Sequence, residues 1–177
     1  SDTAEAAPRA APELRQSATI LSSDQVGAML CQHGFFDCYL NPNATPGDHV
    51  FKIHYFQNTP VVYDSTTRRF WYLSGVKRVS SCEQAHRYVE ELNRVAYAGF
   101  SDWRLPTLEE AMSLMHQGPN DNDPVLRYLF GRAPTWIWTC DTVAGQKLRV
   151  WVVYYAFGFC YYDHIDSDIY GVRAVRS

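Results

Sequence analysis

Gly99-Phe100-Ser101-Asp102-Trp103-Arg104-Leu105-Pro106-Thr107-Leu108-Glu109-Glu110 is the stretch that decides how this chain folds. Trp103 and Leu105 alternate as core anchors on an extended segment, and Arg104 between them can reach a carboxylate or carbonyl groups. Pro106 and Thr107 launch a helix at a fixed angle, with Thr107 and Glu110 at capping-box spacing. The stretch reads as a compact joint, and nothing in it requires catalysis.

Working outward, Ser80 or Ser81 caps the preceding helix, whose Ala85, Tyr88, Val89, Leu92 and Val95 make one apolar face that ends near Gly99. In the helix that follows the joint, Ala111, Leu114 and Met115 face inward and Gly118 closes it. Near the start of the chain, Ser22 and Gln25 again have capping-box spacing, Val26, Met29, Leu30 and His33 follow at helical intervals, and Gly34 is the stop. Short strands are expected around Val50–Tyr55, Pro60–Tyr63 and Phe70–Leu73, with Asp64-Ser65-Thr66-Thr67 as turn chemistry between the last two. A Pro/Asn/Asp loop from Gly118 to Pro124 leads through a helical turn to further strand, where Trp136 and Trp138 alternate, as do Val150 and Val152. The expected class is α+β: a few helices packed on short antiparallel strands, with no βαβ alternation and no internal repeat.

The 177 residues are enough for one domain with a full core. Residues 1–17, rich in Ala and Pro, read as a disordered linker or tail, and residues 18–177 as the domain. A net charge of -3 leaves no basic footprint for nucleic acid. No apolar run approaches the roughly 20 residues that span a bilayer, so membrane insertion is not expected. The five cysteines form no C-x-x-C pair and no zinc spacing, and their odd number leaves at least one unpaired within the chain.

The joint resembles the D-W-R-L-P-T-x-x-E signature of the Lcl C-terminal domain (DUF1566) family. The helix Ala85–Asn93, the segment Trp136-Ile137-Trp138-Thr139 and the closing Tyr170-Gly171-Val172-Arg173-Ala174-Val175-Arg176 fall in that family's order, so the resemblance covers roughly Val61 to the C-terminus. It implies a C-type lectin-like fold related to the formylglycine-generating enzymes. It also makes Asp102, Trp103, Arg104, Leu105, Pro106, Thr107, Glu110 and Arg173 scaffold; Arg104 and Arg173 are expected to satisfy buried carbonyls or carboxylates there, with ligand binding as the alternative. Two departures keep the enzyme activity from being carried over: Ala111 stands where the enzyme motif has Trp, and Cys140 and Cys160 lie twenty apart rather than as a close pair. Some members of the family bind sulfated polysaccharide, but residues 152–170 hold three Asp and no Lys or Arg.

That last stretch is where ligand binding is expected. From Tyr154 to Tyr170 the chain carries Tyr154, Tyr155, Phe157, Phe159, Tyr161, Tyr162 and Tyr170, interleaved with Asp163, His164, Asp166, Ser167 and Asp168, and with poor alternation. Tyr supplies large rigid contact area with a polar tip, while Ser, Gly and Asp supply adaptable hydrogen bonds. In the fold that the resemblance implies, this segment lies on the ligand-facing surface, with Phe157 or Phe159 packing inward and Cys160 and the Tyr161-Tyr162 pair exposed. Some proteins of that fold are rewritten by diversity-generating retroelements, which turn AAC codons into NNC. Every residue from Val152 to Tyr170 is one that NNC can encode.

The expected function is thus a non-enzymatic receptor-type domain for a protein or glycan ligand, which favours a cell-surface or secreted setting. An oxidase relative of the formylglycine generators and an oligomerising structural module are the alternatives. No cofactor, catalytic residue or metal is expected. Asp163, His164, Asp166 and Asp168 fit no EF-hand spacing, Asn120-Asp121-Asn122-Asp123 reads as a polar turn, and His54, His86, His116 and His164 are scattered without a motif. Cys31 and Cys38 flank an aromatic segment and are candidates to pair.

Overall fold

The computed structural model describes residues 13–45, 47–115 and 135–177. Two four-stranded sheets and three helices make up these residues, an α+β arrangement rich in strand. One sheet has the order β1-β5-β6-β7, built from β1 (Ile20–Leu21), β5 (Trp136–Val143), β6 (Gln146–Tyr154) and β7 (Phe159–His164). The other has the order β2-β3-β4-β8, from β2 (Phe51–Phe56), β3 (Thr59–Asp64), β4 (Arg69–Tyr72) and β8 (Val175–Arg176). All pairings are antiparallel except β1 with β5, which is parallel.

Local chemistry accounts for the element ends. Helix α1 (Ser23–His33) carries the capping box of Ser22 and Gln25 and stops at Gly34, whose φ of 69° places it in the left-handed region. Helix α2 (Cys82–Arg94) is capped by Ser81 and buries Cys82, Ala85, Val89 and Leu92. It ends at Arg94 rather than near Gly99, so Val95 lies beyond the helix and is exposed. Helix α3 (Leu108–Ser113) opens with the Thr107–Glu110 capping box, and Ala111, Leu114 and Met115 are buried. The expected stop at Gly118, the 118–124 loop, the helical turn after it, His116 and Asn120–Asp123 lie outside the described residues.

The core has two parts, one on each side of the sheets. Trp151, Val153 and Cys160 point into the cluster that holds α1 and α3, whereas Val150, Val152 and Tyr170 point into the one that holds α2 and Trp103. The edge strand β7 carries aromatic side chains at Phe159, Tyr161 and Tyr162, with Cys160 buried and Tyr161 exposed, so it escapes a period-2 reading. Closure comes from the last residues: Trp138 N–H donates to Gly171 O at 3.1 Å, while Tyr72 N–H donates to Ala174 O at 2.9 Å, so one segment stitches both sheets.

The start of the chain corrects the expected domain boundary. Leu14 is buried, its carbonyl accepts from Arg69 at 3.0 Å, and Arg15 makes a two-pronged ion pair with the buried Asp141 at 2.8 and 2.6 Å. The domain therefore begins before residue 18. Gln16 and Ser177 meet through their side chains at 2.9 Å, which brings the two ends of the domain together. Among the described residues no helix is long and apolar enough to cross a membrane.

Candidate functional site

The described contacts of the joint all lie within the fold. Glu110 has no exposed surface; it accepts from Arg104 at 2.5 and 2.8 Å, from Arg69 at 2.5 Å and from the Thr107 N–H at 3.0 Å. Burial alone would raise this carboxyl, but the two arginines and the Thr107 N–H outweigh it and hold the pKa below the usual range. Trp103 is buried and clasped by Asn93 through both backbone groups, at 2.7 and 2.8 Å. Leu105 is buried, the Pro106 carbonyl accepts from Cys140 N–H at 2.9 Å, and Asp102 pairs with Arg176 at 2.6 Å. Arg173 is buried beneath the Tyr155 ring, 5.8 Å from its centroid, and burial pulls its guanidinium down to about 10.

The expected ligand-binding residues divide into three groups. Tyr155 and Tyr170 belong to the core: Tyr155 donates its hydroxyl to Ala111 O at 2.6 Å, and Tyr170, fully buried, donates to Asp163 at 2.8 Å and bonds the Tyr154 hydroxyl. Cys160 is buried too, so it is not the exposed residue that the sequence suggests. A second group gathers at the α2 end of β7. His164, Asp166 and Ser167 form a tight turn there, Asp168 pairs with Arg78 at 2.7 Å, and the Ile165 carbonyl caps the first N–H of α2 at 2.8 Å. Asp163 at this end is held below the usual carboxylate range, since the bonds from Tyr170 and the His164 N–H outweigh its partial burial.

The third group surrounds a pocket at the other end of β7. A four-residue turn joins β6 to β7, with Gly158 at a φ of 80° accommodating the reversal. Of the two residues offered to pack inward, Phe157 stands 57% exposed at its tip, whereas Phe159 is half-buried between Tyr154 and Tyr39, with ring centroids 4.7 and 5.3 Å away. Tyr161 is 53% exposed and its ring stacks on that of Tyr162, centroids 4.4 Å apart, while Tyr162 also meets Trp151 edge-on at 5.2 Å.

Opposite this turn lies the segment after α1, which sequence reading did not assign to the site. The buried Asp37 carboxylate accepts from the N–H groups of Tyr39, Leu40 and Cys160, each at 2.9 Å, so it fixes the segment's own bend and docks it on β7. Cys38 N–H donates to Gly158 O at 2.8 Å. Between the two elements is a pocket of about 350 Å³. Tyr39, Leu40 and Tyr161 form its exposed rim; Phe159 flanks them, and the buried Trp151, Cys160 and Asp37 close its inner end. The signal for Tyr39 and Leu40 was the largely apolar run Phe35-Phe36-Asp37-Cys38-Tyr39-Leu40 after a helix stop, interrupted only by Asp37.

Among the described residues no three His, Cys, Asp or Glu side chains converge to hold a metal ion. Burial raises the Cys82 thiol to about 11 and the Cys140 thiol to about 12, and pushes Cys160 well up as well, which leaves all three protonated at neutral pH. Cys31 and Cys38 are free thiols. A comparison with curated proteins finds no match. The Lcl C-terminal domain model, however, matches residues 60–176, the span that carries the joint, the paired tryptophan strand and the closing segment, and the chain belongs to that family.

Proposed function

We propose that this chain is a recognition domain of C-type lectin-like type, which binds a protein or glycan ligand at the aromatic rim around the β7 pocket. The observation that carries this reading is the contiguity of Tyr39, Leu40, Phe159 and Tyr161 around one cavity, with Tyr39 76% exposed. Large apolar side chains gathered at a concave surface mark interaction sites, whereas singly scattered ones do not. Recognition rather than oxidase chemistry also suits the cysteines. Cys140 sits on β5 and Cys160 on β7 with β6 between them, two strand spacings or about 10 Å apart, beyond disulfide reach.

The same geometry refines the idea of retroelement diversification. Rewriting is tolerable where the side chain faces solvent, as at Phe157, Tyr161, Asp166 and Asp168, and costly at Tyr155, Cys160 and Tyr170. The test is selection of binders from a phage-displayed peptide library and a glycan array with the full chain. A Tyr39→Ala, Tyr161→Ala double variant with unchanged melting temperature should lose them. Binders that ignore this variant would sink the reading.

A further inference from the structure

The pocket's lining specifies a ligand charge. Four of its residues are aromatic, Tyr39, Trp151, Phe159 and Tyr161, and its one ionisable carboxylate is Asp37. No Lys or Arg lines it, and Asp37 has no ion pair among the described residues; its partners are three backbone N–H groups and the Cys160 thiol. A buried charge satisfied by dipoles alone leaves a negative field in a low-dielectric cavity. Aromatic rings that line the same space can add the attraction of their quadrupoles for a cation. The first turn of α1 contributes Ser23 to the lining, and Asp24 in that turn opposes the helix's positive end.

We infer that the pocket takes the quaternary ammonium head of a small molecule of about choline's size. The volume suits it: about 350 Å³ admits such a group with a short polar tail, while the rim aromatics replace its weakly held water. Attached phosphate is disfavoured, because the lining offers no cation and the chain as a whole carries -3. This inference rests on the recognition reading above and names the chemistry of its ligand.

The experiment is calorimetric titration of the full chain with choline, with phosphocholine, and with 3,3-dimethylbutan-1-ol, which has choline's shape without the charge. Choline should bind about tenfold more tightly than the alcohol, and phosphocholine more weakly than choline. Asp37→Asn should remove the preference, but the new amide would face the Cys160 N–H and can impair folding. The companion variant is therefore Tyr39→Leu with Phe159→Leu, which keeps an apolar lining and the carboxylate; it should reduce the preference for choline over the alcohol without abolishing it. Equal binding of the two by the unmodified chain overturns the ammonium inference while leaving a working pocket. Failure of both small molecules overturns it as well, and library binders that also ignore Tyr39 and Tyr161 would then remove the recognition reading separately.

Discussion

Arg69 Nε donates to Glu110 Oε2 at 2.5 Å, a buried ion pair that ties β4 to the first turn of α3. With Arg104 it makes Glu110 the shared anion of two arginines from different elements. The joint is therefore held by three charges and not by the pair that the motif itself contains.

Glu110→Ala should destabilise the fold by about 3–5 kcal/mol, since it leaves two cations without their counter-charge inside the domain. Urea denaturation at neutral pH measures this directly. An effect under 1 kcal/mol would mean that the arginines find other partners.

The lowered Glu110 pKa has a signed consequence. Its stabilising contribution is complete above the unfolded-state value of about 4.3 and is lost as pH falls through the lower folded value. Melting temperature should therefore drop steeply below about pH 4, and Glu110→Gln should show a shallower acid limb on a lower plateau.

The Ala/Pro-rich composition of residues 1–12 reads as linker, so deleting them should leave stability unchanged within error, whereas deleting 1–17 should cost several kcal/mol. The longer cut removes Leu14 from the core and leaves the buried Asp141 without Arg15. Calorimetry of the two truncated chains separates the outcomes, and equal melting would restore a boundary at residue 18.

Tyr170→Ala should cost about 3–5 kcal/mol and Tyr161→Ala less than about 0.5, because one ring fills the core and the other faces solvent. Across natural copies of the gene, changes within 152–170 should likewise spare Tyr155, Cys160 and Tyr170. Variation spread evenly over buried and exposed positions would contradict this division.

Titration with a disulfide reagent at pH 8 should label Cys31 fast, and Cys82, Cys140 and Cys160 only after unfolding. Cys31 is exposed, while burial holds the other three thiols protonated.

Much of the frame was legible because its signals are local. Ser22 with Gln25 and Thr107 with Glu110 announce their helices within four residues, and both capping boxes form. What stayed hidden depends on contacts distant in sequence. Arg69 gives no hint that it will meet Glu110, nor Arg15 that it will meet Asp141. Strand β7 escaped assignment because Phe159, Tyr161 and Tyr162 put aromatic side chains on it without the apolar–polar alternation that identifies a strand. Of the seventeen residues from Tyr154 to Tyr170 in which ligand binding is expected, Phe159, Cys160 and Tyr161 line the pocket. The other half of that pocket comes from Asp37 to Leu40, and Asp37 reaches Cys160 across 123 residues of chain.

The contact between Gln16 and Ser177 makes the order of elements along the chain separable from their arrangement in space. A short peptide could close the two ends into a ring, and the exposed Gln57–Asn58 turn could be cut to create new ones. Such a circular permutant would retain β2 and β3 as paired strands and the pocket as drawn, while synthesis would begin in the middle of the present sequence.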